Sequence, residues 1–253
     1  MVSKPLSFLT RLVFPSQCHQ CGTLLPSPEQ SMCQICLDHL PRTTHLLKHQ
    51  LHPLGATIGA SFSAALSFDG EVQILCYALK YGGNYPLAQH LGRHILAPHL
   101  LQRTSAPHLI LCPIPIHPRR LRRRGYNQSL FLARGCARGL QAAGRSAQVM
   151  ELLVKREHRK SQVHFSQFTR WGNAAGAFAL NDQRAPEGAL VVLIDDTLTT
   201  GSSLLAAGEL LKQRDPKMQL YLLAWPRRIN ASPRMDVEPY PWQCGFLLGR
   251  FRC

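Results

Sequence analysis

A chain of 253 residues can bury a substantial core, and at roughly 150 residues per domain it predicts one to two domains. Hydrophobic residues at 45% and charged residues at 17% exclude a disordered tail, and 18 Gly with 18 Pro are too few for a collagen-like or low-complexity chain. Lys and Arg number 29 against 14 Asp and Glu, a formal charge of +15, which predicts polyanionic partners.

The first 14 residues, Met1 to Phe14, are largely apolar, but Arg11 interrupts them and no small-residue cleavage site follows. No uncharged apolar run reaches the roughly 18 residues of a membrane span. The longest, Leu109 to Ile116 and Ala189 to Ile194, are strand-sized, so the expectation is a cytoplasmic protein with no membrane span. Nine cysteines follow in the chain, and four of them fall as Cys18-x-x-Cys21, an eleven-residue link, then Cys33-x-x-Cys36. Two such knuckles place four thiolates where a tetrahedral metal takes them, and this predicts a structural zinc ion, four thiolates leaving no open position for water. A disulfide pair and an iron–sulfur cluster are the alternatives, with His19 and His39 near enough to serve as substitute ligands.

Ala60 to Phe68 alternates apolar and small residues up to the turn signal Asp69-Gly70, which predicts a short strand or hairpin. Val72, Ile74, Leu75, Ala78 and Leu79 predict a helix that ends before Gly82-Gly83, and Pro86 opens another through about Leu101. Leu109 to Pro115 reads as a buried strand, Asn127 to Leu140 as a helix and Val149 to Val154 as a strand. Ala189 to Ile194 predicts a further buried strand, Ser202 to Gln213 a helix, and Leu220 to Ala224 a last strand. Strands alternating with helices predict an α/β fold with a mostly parallel sheet flanked by helices. The expected division is an N-terminal helix with a four-Cys zinc-binding module over residues 1–55, an α/β domain over 56–225 and an irregular tail over 226–253.

Charge is distributed unevenly along this frame. Between Val72 and Met150 there is no acidic residue and there are eleven Lys and Arg, five of them Arg119, Arg120, Arg122, Arg123 and Arg124. Such a run suits phosphates, free or in nucleic acid, and a solvated basic face is the alternative. The strand from Ala189 to Ile194 runs straight into Asp195-Asp196-Thr197-Leu198-Thr199-Thr200-Gly201-Ser202 and then a helix. A Thr-, Gly- and Ser-rich loop entering a helix presents unpaired N–H groups and the positive end of the helix dipole to an anion. Two carboxylates at the strand end would repel that anion unless they face the other side of the ligand, where vicinal hydroxyls of a sugar could donate to them. The pattern therefore points to a ribose 5-phosphate. Neither a Walker loop nor a dinucleotide glycine fingerprint is present.

At Asp195 to Ser202 the chain resembles the signature of type I phosphoribosyltransferases. Three more segments narrow the likeness: Tyr77 to Asn84, Pro113 to Arg120 continuing through Arg124-Gly125-Tyr126-Asn127-Gln128, and Arg156 to Asn173 followed by Gly176-Ala177-Phe178. With the four cysteines in front, the chain resembles the ComF/GntX family of competence-associated proteins, from about Phe14 to Ala224. Thr197 stands where that family usually has an aliphatic residue. The resemblance implies a type I phosphoribosyltransferase-like fold. It implies that Asp195 and Asp196 bind the ribose hydroxyls of phosphoribosyl diphosphate and serve as the catalytic pair. Thr197, Thr199, Thr200, Gly201 and Ser202 would hold the 5-phosphate, and Arg119 and Arg120 the diphosphate. Lys160, Gln162 and Arg170 would belong to a flexible loop that closes over the site. Mg²⁺ would bridge diphosphate and ribose oxygens.

The acceptor is not legible. Lys80, Tyr81 and Tyr85 could line its pocket or form a surface turn. Two functions follow from the resemblance: a competence protein handling single-stranded DNA and coupled to a DNA-uptake helicase, or an active phosphoribosyltransferase with an unidentified nucleobase or small-molecule acceptor. The arginine run serves either, as diphosphate ligands or as single-stranded DNA contacts.

Overall fold

Strands that are apolar on both faces must be covered on both, and here that requirement produces a parallel sheet between two hydrophobic layers. The computed structural model describes residues 15–27, 30–42, 58–67, 70–156, 176–196, 201–215 and 217–223. Five strands, β1 (Ala60–Ser63), β2 (His108–Pro113), β3 (Ser146–Val149), β6 (Leu190–Ile194) and β7 (Gln219–Leu223), form one sheet in the order β1-β7-β6-β2-β3. All its pairings are parallel. Two short strands, β4 (Leu153–Lys155) and β5 (Phe178–Leu180), pair antiparallel as a separate ribbon.

Period-2 alternation divides the strand side chains between the two layers. Leu109, Leu111, Leu190, Val192, Ile194 and Tyr221 point into one cluster, while Ile110, Cys112, Val191, Leu193 and Leu220 point into the other. The first layer is helical. Gln34–His39 form α1 and Gly70–Tyr81 form α2. Tyr85–Leu91 form α3, which runs on through a π-helical stretch (Gly92–Leu96) into α4 (Ala97–Leu101). Pro118–Arg124 form α5, and Gln128–Ala142 form α6, the long helix of this layer. The second layer is built on α7 (Ser202–Arg214) and the β4-β5 ribbon. Cys18, Met32, Leu37 and Leu40 of the four-Cys segment share a cluster with Leu75, Leu87, Leu91 and Leu132, so that segment packs into the helical layer. His90, buried on α3, bonds the backbone of Met32, and burial pushes its imidazole down to about 4, so it stays neutral there.

The observed elements depart from expectation after β3 and within the helix opened by Pro86. The run Val149 to Val154 is two strands in two sheets, because the chain turns at Met150, where Leu152 N–H bonds the Met150 carbonyl. Apolar continuity carries no trace of so tight a turn. Ala60–Ser63 form the short strand expected in the run Ala60 to Phe68, paired with β7 at the sheet edge. The helix opened by Pro86 is interrupted by the π turn, directly before Pro98, whose missing N–H cannot continue the i→i−4 ladder. The tail after Leu223 lies outside the described residues. Among the described residues no helix is long and apolar enough to cross a membrane.

Helix α6 meets α3 and the π turn at backbone contact. A Cβ on Gly92 would fall 2.1 Å from the Leu132 carbonyl oxygen, and one on Gly135 only 2.0 Å from that of Gln89. Both obstacles are backbone, so neither can swing aside. Gly135→Ala is therefore expected to lose about 3 kcal/mol, near the upper end for overpacking. Urea denaturation checks this, and an unchanged midpoint would mean that the helices are not in backbone contact.

Candidate active site

In open parallel sheets ligands dock beyond the carboxyl ends of the strands, where successive connections depart in opposite directions. Here that point lies between β2 and β6. The chain leaves β2 for β3 on one side, and leaves β6 for β7 on the other. The two strand ends stay joined, with Pro113 opposite Ile194 and Ile114 N–H donating to the Ile194 carbonyl at 2.9 Å. Asp195 and Asp196 follow at once, so both predicted carboxylates stand at the switch point.

A short segment before α6 holds the parts together. Asn127 caps α6 by accepting from Ser129 N–H at 3.1 Å, and its Nδ2 donates to the Ile114 carbonyl at 3.1 Å. Ser129 Oγ donates to Asp195 Oδ1 at 3.3 Å, and the Asp196 N–H donates to the same oxygen at 2.8 Å. Next door, the Tyr126 hydroxyl donates to the Leu79 carbonyl at 2.5 Å, fixing the last turn of α2. From that turn Lys80 Nζ reaches Asp196 Oδ2 at 3.2 Å. Asp196 is 4% exposed, and no donor is aligned for a hydrogen bond on its Oδ2, so Lys80 faces it as an ionic partner.

Burial, and then the neighbouring Asp196 charge, push the Asp195 carboxyl well above the usual carboxylate range, against the pull of Lys80. Lys155, at the end of β4, is lowered by burial and by Arg120 while Asp195 holds it up, which places Lys155 and Arg120 in electrostatic range of this edge. Its Nζ stands 3.8 Å from the centroid of the Phe178 ring.

The five arginines lie on or at the end of α5, a helix absent from the sequence-based reading. His117 Nδ1 accepts from Arg119 N–H at its start, Pro118 opens it, and Gly125 closes it at φ +80°. No residue of α5 is buried. Arg119, Arg120, Arg122 and Arg123 are exposed, while Arg124 lies 5.6 Å from the centroid of the exposed Tyr81 ring. Tyr85 instead packs against Phe131 and Tyr126. Of the predicted phosphate loop, Gly201 takes φ +74° at the N-cap of α7, and Ser202 is the first helical residue. Thr197, Thr199 and Thr200 lie outside the described residues, as do Lys160, Gln162 and Arg170.

In the N-terminal segment, the sulfur atoms of Cys18, Cys21, Cys33 and Cys36 all lie within 4.8 Å of one another. Cys21 and Cys33 Sγ are 3.8 Å apart, matching the roughly 3.8 Å edge of a tetrahedron whose metal–sulfur bonds are about 2.3 Å. Backbone N–H groups of Cys33 and Cys36 donate to the sulfurs of Cys18 and Cys33. Contact with Thr23 holds the Cys21 thiol down to about 6, while burial and the neighbouring thiols push Cys36 the opposite way.

Residues 128–244 match the family model described as the phosphoribosyl transferase domain. A phosphoribosyltransferase domain is present. No curated protein matches the chain. The matched range holds Ser129, Asp195, Asp196 and the loop into α7. Lys80, the α5 arginines, Tyr126, Asn127 and the four cysteines all precede it. The pairing of Lys80 with Asp196, and the tie of Ser129 to Asp195, were missed by sequence reasoning. The sequence singles out Lys80 only as a candidate lining of the acceptor pocket, and Ser129 lies just beyond the segment Arg124 to Gln128.

Proposed function

We propose that the phosphoribosyltransferase domain binds phosphoribosyl diphosphate at the β2-β6 switch point, in a ComF-type protein that handles single-stranded DNA during natural transformation. The observation that carries the ligand is the placement of Asp195 and Asp196 on the carboxyl edge, beside a glycine-initiated helix terminus. Ribose hydroxyls donate to the carboxylates, while backbone N–H groups at Thr197, Thr199, Thr200, Gly201 and Ser202 take the 5-phosphate. Arg119 and Arg120 take the diphosphate through guanidinium forks, and Lys160, Gln162 and Arg170 belong to the closing loop. Mg²⁺, when bound with the ligand, supplies charge neutralisation on the leaving diphosphate. The site's own part is to orient the ribose and exclude water, so that displacement at the anomeric carbon is available if an acceptor enters. Without an acceptor pocket to name, transferase activity is the second reading.

The DNA reading is favoured by the exposure of α5, whose Arg119, Arg122 and Arg123 stand in solvent. A row of exposed guanidinium groups neutralises a phosphate backbone with little regard to base. A DNA-uptake helicase would be the partner of this face. In the four-Cys segment the donor set and sulfur spacing fit zinc in a structural role, with Cys18, Cys21, Cys33 and Cys36 as its ligands.

Each part has its own measurement. Calorimetry with phosphoribosyl diphosphate and Mg²⁺ should show binding that Asp195→Asn and Asp196→Asn each weaken by about 1.5–3 kcal/mol, the range for hydrogen bonds to charged groups. The melting temperature of Asp195→Asn should hold or rise, since a carboxyl shifted upward by burial costs stability above its own pKa. Unchanged affinity in both variants removes the ribose assignment.

Replacing Arg119, Arg122 and Arg123 by Ala should flatten the log–log salt dependence of single-stranded DNA binding by about two, at about 0.7 per lost phosphate contact. A slope that does not move makes α5 a solvated face.

Elemental analysis should find one zinc per chain, lost together with thermal stability in Cys33→Ser. Protein purified without zinc, and a variant melting like wild type, would remove the metal from the account.

A further inference from the structure

An aspartate sealed from water needs a compensating charge, and Asp196 has its nearest carboxyl neighbour, Asp195, carrying the same sign. The Asp195 Oδ1 atom is already engaged by Ser129 Oγ and by the Asp196 N–H. Compensation comes from α2. Lys80 lies 3.2 Å from Asp196 Oδ2, the lysine side chain 25% exposed and the aspartate 5%. The contact is built in advance of any ligand by the elements beneath it. Tyr126, itself buried and wedged against Tyr85 and Phe131, donates its hydroxyl to Leu79, the residue before Lys80. Gly82 N–H closes the helix on the Ala78 carbonyl, so α2 ends with its lysine at the negative end of the helix dipole.

We propose that Lys80, supplied from outside the matched domain, is a positioning residue of the ribose site, holding Asp196 as the oriented carboxylate of the Asp195-Asp196 pair. This rests on the phosphoribosyl diphosphate reading above. With Lys80 against Oδ2, Asp196 is held in place by a cation, while Asp195 Oδ1 is held by Ser129 Oγ and by the Asp196 N–H. Among the described residues, the other ionisable groups facing the pair are Tyr126, from the turn before α6, and Lys155, from β4, and Lys155 acts on Asp195. The ribose site is therefore composite: its carboxylates come from β6, and the cation that sets one of them comes from a helix some 115 residues earlier by number.

The experiment is a calorimetric double-mutant cycle on the full chain, with phosphoribosyl diphosphate and Mg²⁺ as the titrant. Lys80→Met should bind about tenfold more weakly, in line with losing one charge-assisted contact, and should melt at a lower temperature, because it leaves Asp196 buried without its cation. Lys80→Arg should recover most of the affinity. Tyr126→Phe, which frees the last turn of α2, should fall between the two. In an Asp196→Asn background, Lys80→Met should add no further loss, because its route to the ligand has been removed. Lys80→Met binding like wild type overturns the proposal. So does an equal loss in both backgrounds, which would make Lys80 a direct ligand contact. A wild-type chain that binds no phosphoribosyl diphosphate overturns the underlying reading as well, and that result differs from wild type binding with Lys80→Met unaffected.

Discussion

Asn127 is buried with both halves of its amide in use. The donor goes to the carbonyl of Ile114 and the acceptor to the N–H of Ser129. The placement of the carboxyl edge depends on this one side chain. Through Ile114 it fixes the loop after β2, itself joined to the end of β6. Through Ser129 it fixes the first turn of α6, whose hydroxyl reaches Asp195. A hydrophobic replacement of the same size would leave a backbone carbonyl and an amide unpaired in the interior, each at the cost of a lost buried hydrogen bond. Tyr126, one residue earlier, extends the same control to α2 and Lys80. Three positions within four residues, Tyr126, Asn127 and Ser129, thus align four pieces of backbone that are far apart in the chain.

That alignment is credible only on a stiff base, and the helical layer supplies one. Glycines at 92, 135 and 139 let α6 approach α3 and the π turn until backbone meets backbone. Such contact leaves no side-chain freedom through which the helices could slide. The four-Cys segment joins this layer through Met32, Leu37 and Leu40, and through His90, whose neutral ring bonds the Met32 backbone. Order in the cysteine knuckles and order in the helices beneath the site are therefore not independent, since they share one apolar cluster.

Much of this was legible in the residues. The parallel sheet could be read because β2 and β6 are short apolar runs bounded by turn residues, and Asp195 and Asp196 could be placed because they follow such a run directly. Cys18, Cys21, Cys33 and Cys36 announce their meeting by spacing alone. What resisted reading was of two kinds. Tight backbone events, such as the turn at Met150 and the π stretch from Gly92, are decided by one or two hydrogen bonds and leave the apolar pattern intact. Pairings across long separations, such as Lys80 with Asp196, are decided by the fold, and a lone lysine at a helix end looks like any solvated one. The arginine run was visible as charge, but its helix was hidden because five arginines and one leucine show no apolar periodicity.

Strand β2 lies between β6 and β3 in the sheet, yet it ends at Pro113, well before the first residue of the matched phosphoribosyltransferase range. A fragment cut at that boundary would keep β6 and β7 but leave the inner edge of β6 unpaired and exposed. Open apolar edges of this sort invite pairing with other chains. Nor would the fragment contain Lys80, Tyr126 or Asn127. The unit that the chain can be divided into is thus set by its sheet, and the portion recognisable by similarity is narrower than the portion that can stand alone.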